Sequence, residues 1–157
     1  MKIICSPNLA TIESLPSDAR GVLLFSRANR PDIASIGAAV REHIEKHKYA
    51  PEPRAWDFLS LALSIFAADE AVVRSSSSDG WTREIELDVA VSDPDFWNSQ
   101  RASVEKAVQF LTTDPWRVTF SGSGARPKAQ EKPEYFPETS VSLLSGGMDS
   151  LIGASDA

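Results

Sequence analysis

Apolar residues in the first 120 positions recur with two different periods, and the changes of period mark out the elements. Residues 81–91 alternate. Trp81, Arg83, Ile85, Leu87, Val89 and Val91 fall on one side, with Thr82, Glu84, Glu86 and Asp88 on the other. Successive side chains of a strand point to opposite faces, so this spacing predicts a half-buried strand with one wet face. The short apolar runs at 2–5, 21–25 and 116–120 also read as strands.

Elsewhere the spacing is helical. Ile33, Ile36, Val40 and Ile44 predict a helix with Asn29 or Arg30 near its cap and Pro31 in its first turn. That helix has to end before Pro51 and Pro53. Residues 56–74 give the strongest helical pattern: Asp57, Ser60 and Ser64 form a narrow stripe, surrounded by Leu, Ile, Phe and Ala. A helix apolar over most of its circumference is expected to be covered on several sides, as a central core helix. Asp93-Pro94 then reads as a cap and first turn. In the helix that follows, Trp97, Val104, Val108 and Leu111 lie on one side, with Arg101, Glu105 and Lys106 nearer solvent. Strand, helix, strand in that order suggests α/β or α+β layers.

From 121 to 139 the composition changes. Ser121-Gly122-Ser123-Gly124 leads into Pro127, Pro133 and Pro137 among Lys, Gln and Glu, which reads as a linker or a long crossing loop. The expected organisation is an N-terminal α+β domain over 1–120, a linker over 121–139 and the start of a second domain over 140–157.

Composition narrows the function. The 157 residues are 42% hydrophobic and 24% charged, as in a globular protein with a real core. A formal net charge of -6 argues against a broad nucleic-acid footprint but leaves room for a small anion pocket lined by backbone amides. Cys5 is the one cysteine, so an internal disulfide and a cysteine-rich metal site are both excluded, and it is expected to be buried rather than reactive. The start of the chain lacks the apolar run of a signal peptide. The most apolar stretch is broken by Asp57, Ser60, Ser64, Asp69 and Glu70, whereas a membrane span needs roughly 20 mostly apolar residues. No membrane association and a cytoplasmic location are expected.

The segment that carries chemistry follows the proline-rich stretch. Val141-Ser142-Leu143-Leu144 is β-prone, Ser145-Gly146-Gly147-Met148-Asp149-Ser150 is a glycine turn, and Leu151-Ile152-Gly153-Ala154 starts a helix. The first amides of a helix lack internal partners and sit at the positive end of its dipole, so an anion is their natural occupant. Gly146 and Gly147 allow close approach of a phosphate, and Ser145 and Ser150 add hydroxyl donors. Asp149 beside phosphate requires a bridging magnesium ion, or else it caps the helix amides itself. The loop has no lysine and is not of the Walker type.

This six-residue loop resembles the signature of the PP-loop ATP pyrophosphatases, among them 7-cyano-7-deazaguanine synthase, asparagine synthetase, GMP synthetase and tRNA-modifying ligases and thiolases. The resemblance implies an α/β fold overall. In it, the N-terminal domain precedes the first strand, loop and helix start of a Rossmann-type domain like that of the adenine nucleotide alpha hydrolases. It also implies cleavage of ATP between its α and β phosphates, with adenylation of a carboxyl or carbonyl oxygen. Ser145, Gly146, Gly147, Met148, Asp149 and Ser150 would form the ATP and pyrophosphate site. Asp149 would be the catalytic residue, working with Mg2+.

Within that family the chain is most similar to QueC-like proteins of bacterial anti-phage systems, of the QatC type. The run Leu143 through Gly153 carries most of this similarity. Trp81-Thr82-Arg83-Glu84-Ile85 and Phe110-Leu111-Thr112-Thr113-Asp114-Pro115-Trp116 add to it. The implied partners are ATP, a carboxylate acceptor whose identity is open, and proteins of a defence operon. The remaining strands, the adenine pocket, the acceptor site and any four-cysteine zinc site would lie past Ala157, so residues 1–157 alone are not expected to turn over ATP. An interaction module and a tRNA-modifying PP-loop enzyme are the alternatives, the acidic balance counting against the second.

Two other features have plainer readings. His43 and His47 are four apart on an expected helix, but Arg41, Lys46 and Lys48 repel a cation, so a solvated face is expected. Arg83, on the apolar side of its strand, is expected to snorkel or to pair with a core carboxylate such as Asp69.

Overall fold

The computed structural model of the chain describes residues 1–126, 128 and 130–134. Five strands form one parallel sheet: β1 (Lys2–Ser6), β2 (Ala19–Leu24), β3 (Ala34–Ile36), β4 (Ile85–Ala90) and β5 (Trp116–Ser121), in the order β3-β2-β1-β4-β5. The helices are α1 (Leu9–Glu13), α2 (Ala38–Lys46), α3 (Pro53–Ala71) and α4 (Pro94–Thr112), with a 3-10 turn at Arg74–Ser76. All-parallel pairing makes this unit α/β; the segregated α+β layering that the strand–helix–strand order left open is not what the described residues adopt.

Pairing fixes which residues share a face. Ile3 lies opposite Leu87, Cys5 opposite Val89, and Leu87 and Val89 opposite Val118 and Phe120. These side chains are buried and form the main core with α3 and α4. The opposite face of β4 and β5 is polar and self-satisfied. Arg117 pairs with Glu86 (3.2 Å), and the Ser121 hydroxyl donates to Asp88 (2.6 Å). Of the alternation expected over 81–91, residues 85–89 realise it with a wet face at Glu86 and Asp88, whereas Ala90 is buried between Val89 and Val91. The free edge of β5 is occupied by side chains of α4: Glu105 accepts from the Val118 amide (2.8 Å), and Asn98 donates to the Phe120 carbonyl (3.1 Å). Such caps blunt an edge that would otherwise pair with another strand.

Three expectations are corrected. The helix expected from Pro31 begins only at Ala38, and Ile36 belongs to β3, hydrogen-bonded beside Leu24. Gly37 separates the two elements with φ 86°, a left-handed conformation that suits glycine. A Cβ there would also meet Leu63 Cδ1 at 2.7 Å. Trp81 precedes β4 and is exposed, its ring lying under the Arg74 guanidinium at 5.1 Å. Leu111 is exposed as well. Thr112 faces β5 in its place, its hydroxyl accepting from Trp116 Nε1 (2.9 Å) before Thr113 ends the helix at φ 64°.

The core helix shows the largest departure. In α3 the polar stripe faces inward: Asp57, Ser60 and Ser64 are buried, while Phe58 and Phe66 are 63% and 59% exposed. The serines pose no desolvation problem, because each donates back to the carbonyl four residues earlier, at 2.8 and 2.6 Å. Their small size lets the helix lie close to the sheet.

At the N-terminal end of β4, Arg83 is 7% exposed and Asp114 is fully buried. Arg83 reaches Asp114 through Nε (2.9 Å), Nη2 (2.6 Å) and its own backbone amide (3.0 Å). It also reaches Asp69 (2.5 Å) and the carbonyls of Asp69 and Val72, both at 2.9 Å. Arg74 completes Asp114 with two bonds of 3.0 Å. Asp69 is a partner, as expected; Asp114 is the larger one. Burial opposes both charges. The bonds outweigh it, holding Arg83 above its usual range and Asp114 below the usual carboxylate range. Because the folded Asp114 binds its proton less readily than the unfolded one, its stabilisation is complete above about pH 4 and is lost as pH falls through the depressed folded value. Asp114→Ala strands two guanidinium groups. It is expected to lose about 3–5 kcal/mol in denaturant titration and to flatten the acid limb of stability against pH.

Cys5 is buried, and burial pushes its thiol up to about 12, the Ser64 hydroxyl offsetting only part of that. A chromogenic disulfide reagent is expected to leave Cys5 unmodified in the native protein and to titrate it once denaturant is added.

Candidate functional site

In an open parallel sheet, ligands settle where the strand order reverses, outside the carboxyl ends of the strands, because neighbouring connections leave there for opposite faces. Here that point lies between β1 and β4. The turn after β1 is Ser6-Pro7-Asn8. It has no glycine, and Pro7 has no N–H to give a phosphate. The Ser6 hydroxyl accepts from the Asn8 amide (3.1 Å), and Asn8 in turn caps α1 through the Ala10 amide (3.0 Å). The glycine-rich fingerprint of a dinucleotide fold is therefore missing from the place where such a fold carries it.

After β4 the turn is fixed from beneath. Asp57, fully buried on α3, accepts from the Ser92 amide (2.7 Å), the Ser92 hydroxyl (2.9 Å), the Asp93 amide (3.2 Å) and Trp97 Nε1 (3.1 Å). Four donors satisfy this carboxylate, so its role is to hold the β4–α4 turn. Asp93 caps α4 through the Phe96 amide (3.2 Å), as its position before Pro94 suggested. Asp57 gave no signal in the sequence beyond its place in the polar stripe.

The chain leaving β5 doubles back over this edge. The Gly124 amide donates to the Val91 carbonyl (3.0 Å), and Ala125 packs on the core. Further on, Glu134 donates to the Lys48 carbonyl (3.1 Å) and bridges to Tyr49. The described part of 121–134 is thus a strap across the sheet edge, the crossing-loop form of that segment. Beneath it, Pro7, Phe25, Arg41, Trp56, Gly124, Ala125 and Arg126 enclose a recess of about 220 Å3. Phe25 has φ 60°, rare for a bulky residue, and meets Trp56 edge-on at 4.9 Å between ring centres.

Ser145, Gly146, Gly147, Met148, Asp149 and Ser150 lie outside the described residues, as does the span 140–157. His43 and His47 lie at the end of α2 and just beyond it. Their ring centres are 4.2 Å apart, and His47 stacks on Tyr49 at 5.4 Å and donates through Nδ1 to the His43 carbonyl (2.9 Å). Among the described residues no group of three or more His, Cys, Asp or Glu is placed to hold a metal ion. No described helix is long and apolar enough to cross a membrane.

The two N-terminal segments singled out by resemblance, 81–85 and 110–116, meet in space: Arg83 of the first and Asp114 of the second form the buried ion network. Both residues serve the fold of this unit. No family model matches the chain, nor does any curated protein or solved structure.

Seating of the strap depends on the absence of a side chain at Gly124, where a Cβ would lie 2.2 Å from the Val91 carbonyl carbon and 2.5 Å from the Ser92 nitrogen. Both obstacles are backbone. Gly124→Ala is expected to lift the strap, speeding hydrogen exchange at that amide and lowering stability by about 1–3 kcal/mol.

Proposed function

We propose that this chain belongs to a QueC-like PP-loop ATP-dependent ligase, an amidating enzyme that cleaves ATP to AMP and pyrophosphate through an acyl-adenylate in cytoplasmic anti-phage defence. One observation carries the reading: the run Ser145-Gly146-Gly147-Met148-Asp149-Ser150 between a β-prone segment and a helix-prone one. Bare amides and hydroxyls in that order suit a leaving pyrophosphate, and Asp149 suits the magnesium ion that neutralises it. Adenylation converts a carboxylate oxygen into part of a good leaving group, which ammonia or an amine then displaces. The doubly wound unit before the loop supports a division of labour, since its own first βα turn offers phosphate neither glycine nor a full set of amides.

A second reading, an interaction module within a defence complex, is favoured by the large apolar side chains exposed on the outer helices: Phe58 and Phe66 on α3, Phe110 and Leu111 on α4. The two readings are compatible in one protein. Co-purification with the products of neighbouring genes, lost on Phe110→Ser with Leu111→Ser, tests the second.

The enzyme reading is checked by pyrophosphate release. With ATP, Mg2+ and candidate carboxylates, the polypeptide as the cell makes it is expected to release pyrophosphate. Asp149→Ala is expected to slow this about a hundredfold or more, the scale of single electrostatic contributors to a transition state. Wild-type rates in that variant would remove Asp149 from its assigned role.

A further inference from the structure

The recess under the strap has the makings of an anion site that does not involve the glycine loop. It stands at the strand-order reversal, where a doubly wound sheet offers its ligand crevice. At about 220 Å3 it is smaller than the roughly 300–1,000 Å3 typical of pockets for drug-sized ligands. Its lining combines two guanidinium groups with an aromatic and proline wall.

Three donors around it lack acceptors among the described residues. Arg126 has none. Arg41 uses Nε on Glu45 (2.8 Å), leaving its terminal Nη groups without one. Trp56 is 4% exposed, and its Nε1 is the one buried side-chain polar atom without a partner among the described residues. A buried indole N–H almost always finds an acceptor, because leaving it bare forfeits the hydrogen bond it had in water. Trp56 meets Phe25 in the core and is one of the residues that line the recess. Two arginines and no carboxylate among the lining residues select for negative charge. Phe25 and Pro7 favour a ligand with some apolar body.

We propose that this recess binds a small oxyanion, the carboxylate or phosphate group of a metabolite-sized ligand, held by Arg126 and Arg41 and accepting from Trp56 Nε1. The site is built from the turns after β1 and β2, from α2 and α3, and from the strap. Occupancy therefore fastens the strap to the sheet edge. The proposal stands whether or not the glycine loop binds nucleotide.

The test is an NMR titration of the full 15N-labelled chain with inorganic phosphate and, separately, with benzoate, at constant ionic strength. The Trp56 indole resonance is identified as the one missing from Trp56→Phe. Saturable movement of that resonance at millimolar probe is expected. A response to phosphate alone assigns the recess to phosphate ligands, and a response to benzoate alone assigns it to carboxylates. Arg126→Ala, an exposed substitution that leaves the fold intact, is expected to weaken binding about tenfold or more, as loss of a charge-assisted contact does. Arg20→Ala, removing an exposed arginine elsewhere, is expected to leave it unchanged. An indole resonance indifferent to both probes overturns the proposal. So does undiminished binding in Arg126→Ala, or an equal loss in Arg20→Ala, which would mark diffuse attraction rather than a site.

Discussion

The crossing helix α3 is tied to the sheet at both of its ends by charge, and the arrangement of the whole unit follows from those two ties. At the C-terminal edge, Asp57 gathers four donors from the β4–α4 turn and Trp97. At the opposite edge, Arg83 grips the last turn of α3 through the Asp69 and Val72 carbonyls and binds Asp114 at the start of β5. Buried ions cost several kcal/mol to desolvate, and they are tolerated only where every donor and acceptor is met. Both clusters meet that condition. Because each requires its partners in one geometry, α3 can sit in only one register over the sheet. Between the ties, Ser60 and Ser64 satisfy themselves and keep the contact close.

That same register determines what remains outside. With the polar stripe turned inward, two of the bulky residues of α3, Phe58 and Phe66, are left at the surface, while Trp56 and Leu61 remain buried. An amphipathic helix judged by hydropathy alone would be oriented the other way. The exposed rings are thus a consequence of the buried carboxylate.

How far the sequence could be read follows from which interactions are local. The Asp93-Pro94 cap and the period-two pattern of residues 85–89 in β4 are set by neighbours in the chain, and both are realised. α1 has five residues and β3 three, too few for any periodicity, and Ile33 and Ile36 mimicked a helical stripe across the break at Gly37. The inward stripe of α3 was illegible for a different reason. Whether Asp57 is buried depends on donors at positions 92, 93 and 97, which no local window contains. Arg83 on the apolar side of its strand did signal a buried pair, and Asp69 was foreseeable; Asp114, 31 residues away, was not. The most specific motif, Ser145 to Ser150, rests on the sequence alone, since its residues lie outside those described.

Two modes of anion recognition are open to a chain of this composition, and they differ in what the fold must provide. A glycine turn before a helix binds phosphate with backbone, needs no net positive charge, and can be recognised from six consecutive residues. The β1 turn cannot do this, since Pro7 withholds an amide and Asn8 is committed to capping a helix of five residues. Any anion held at the edge of this sheet must therefore be held by side chains drawn from distant elements. Arg41 comes from α2, Trp56 from α3 and Arg126 from the strap, and only the close seating of Gly124 on Val91 brings them around one space. A site of that kind is invisible to a motif and legible only in the folded chain.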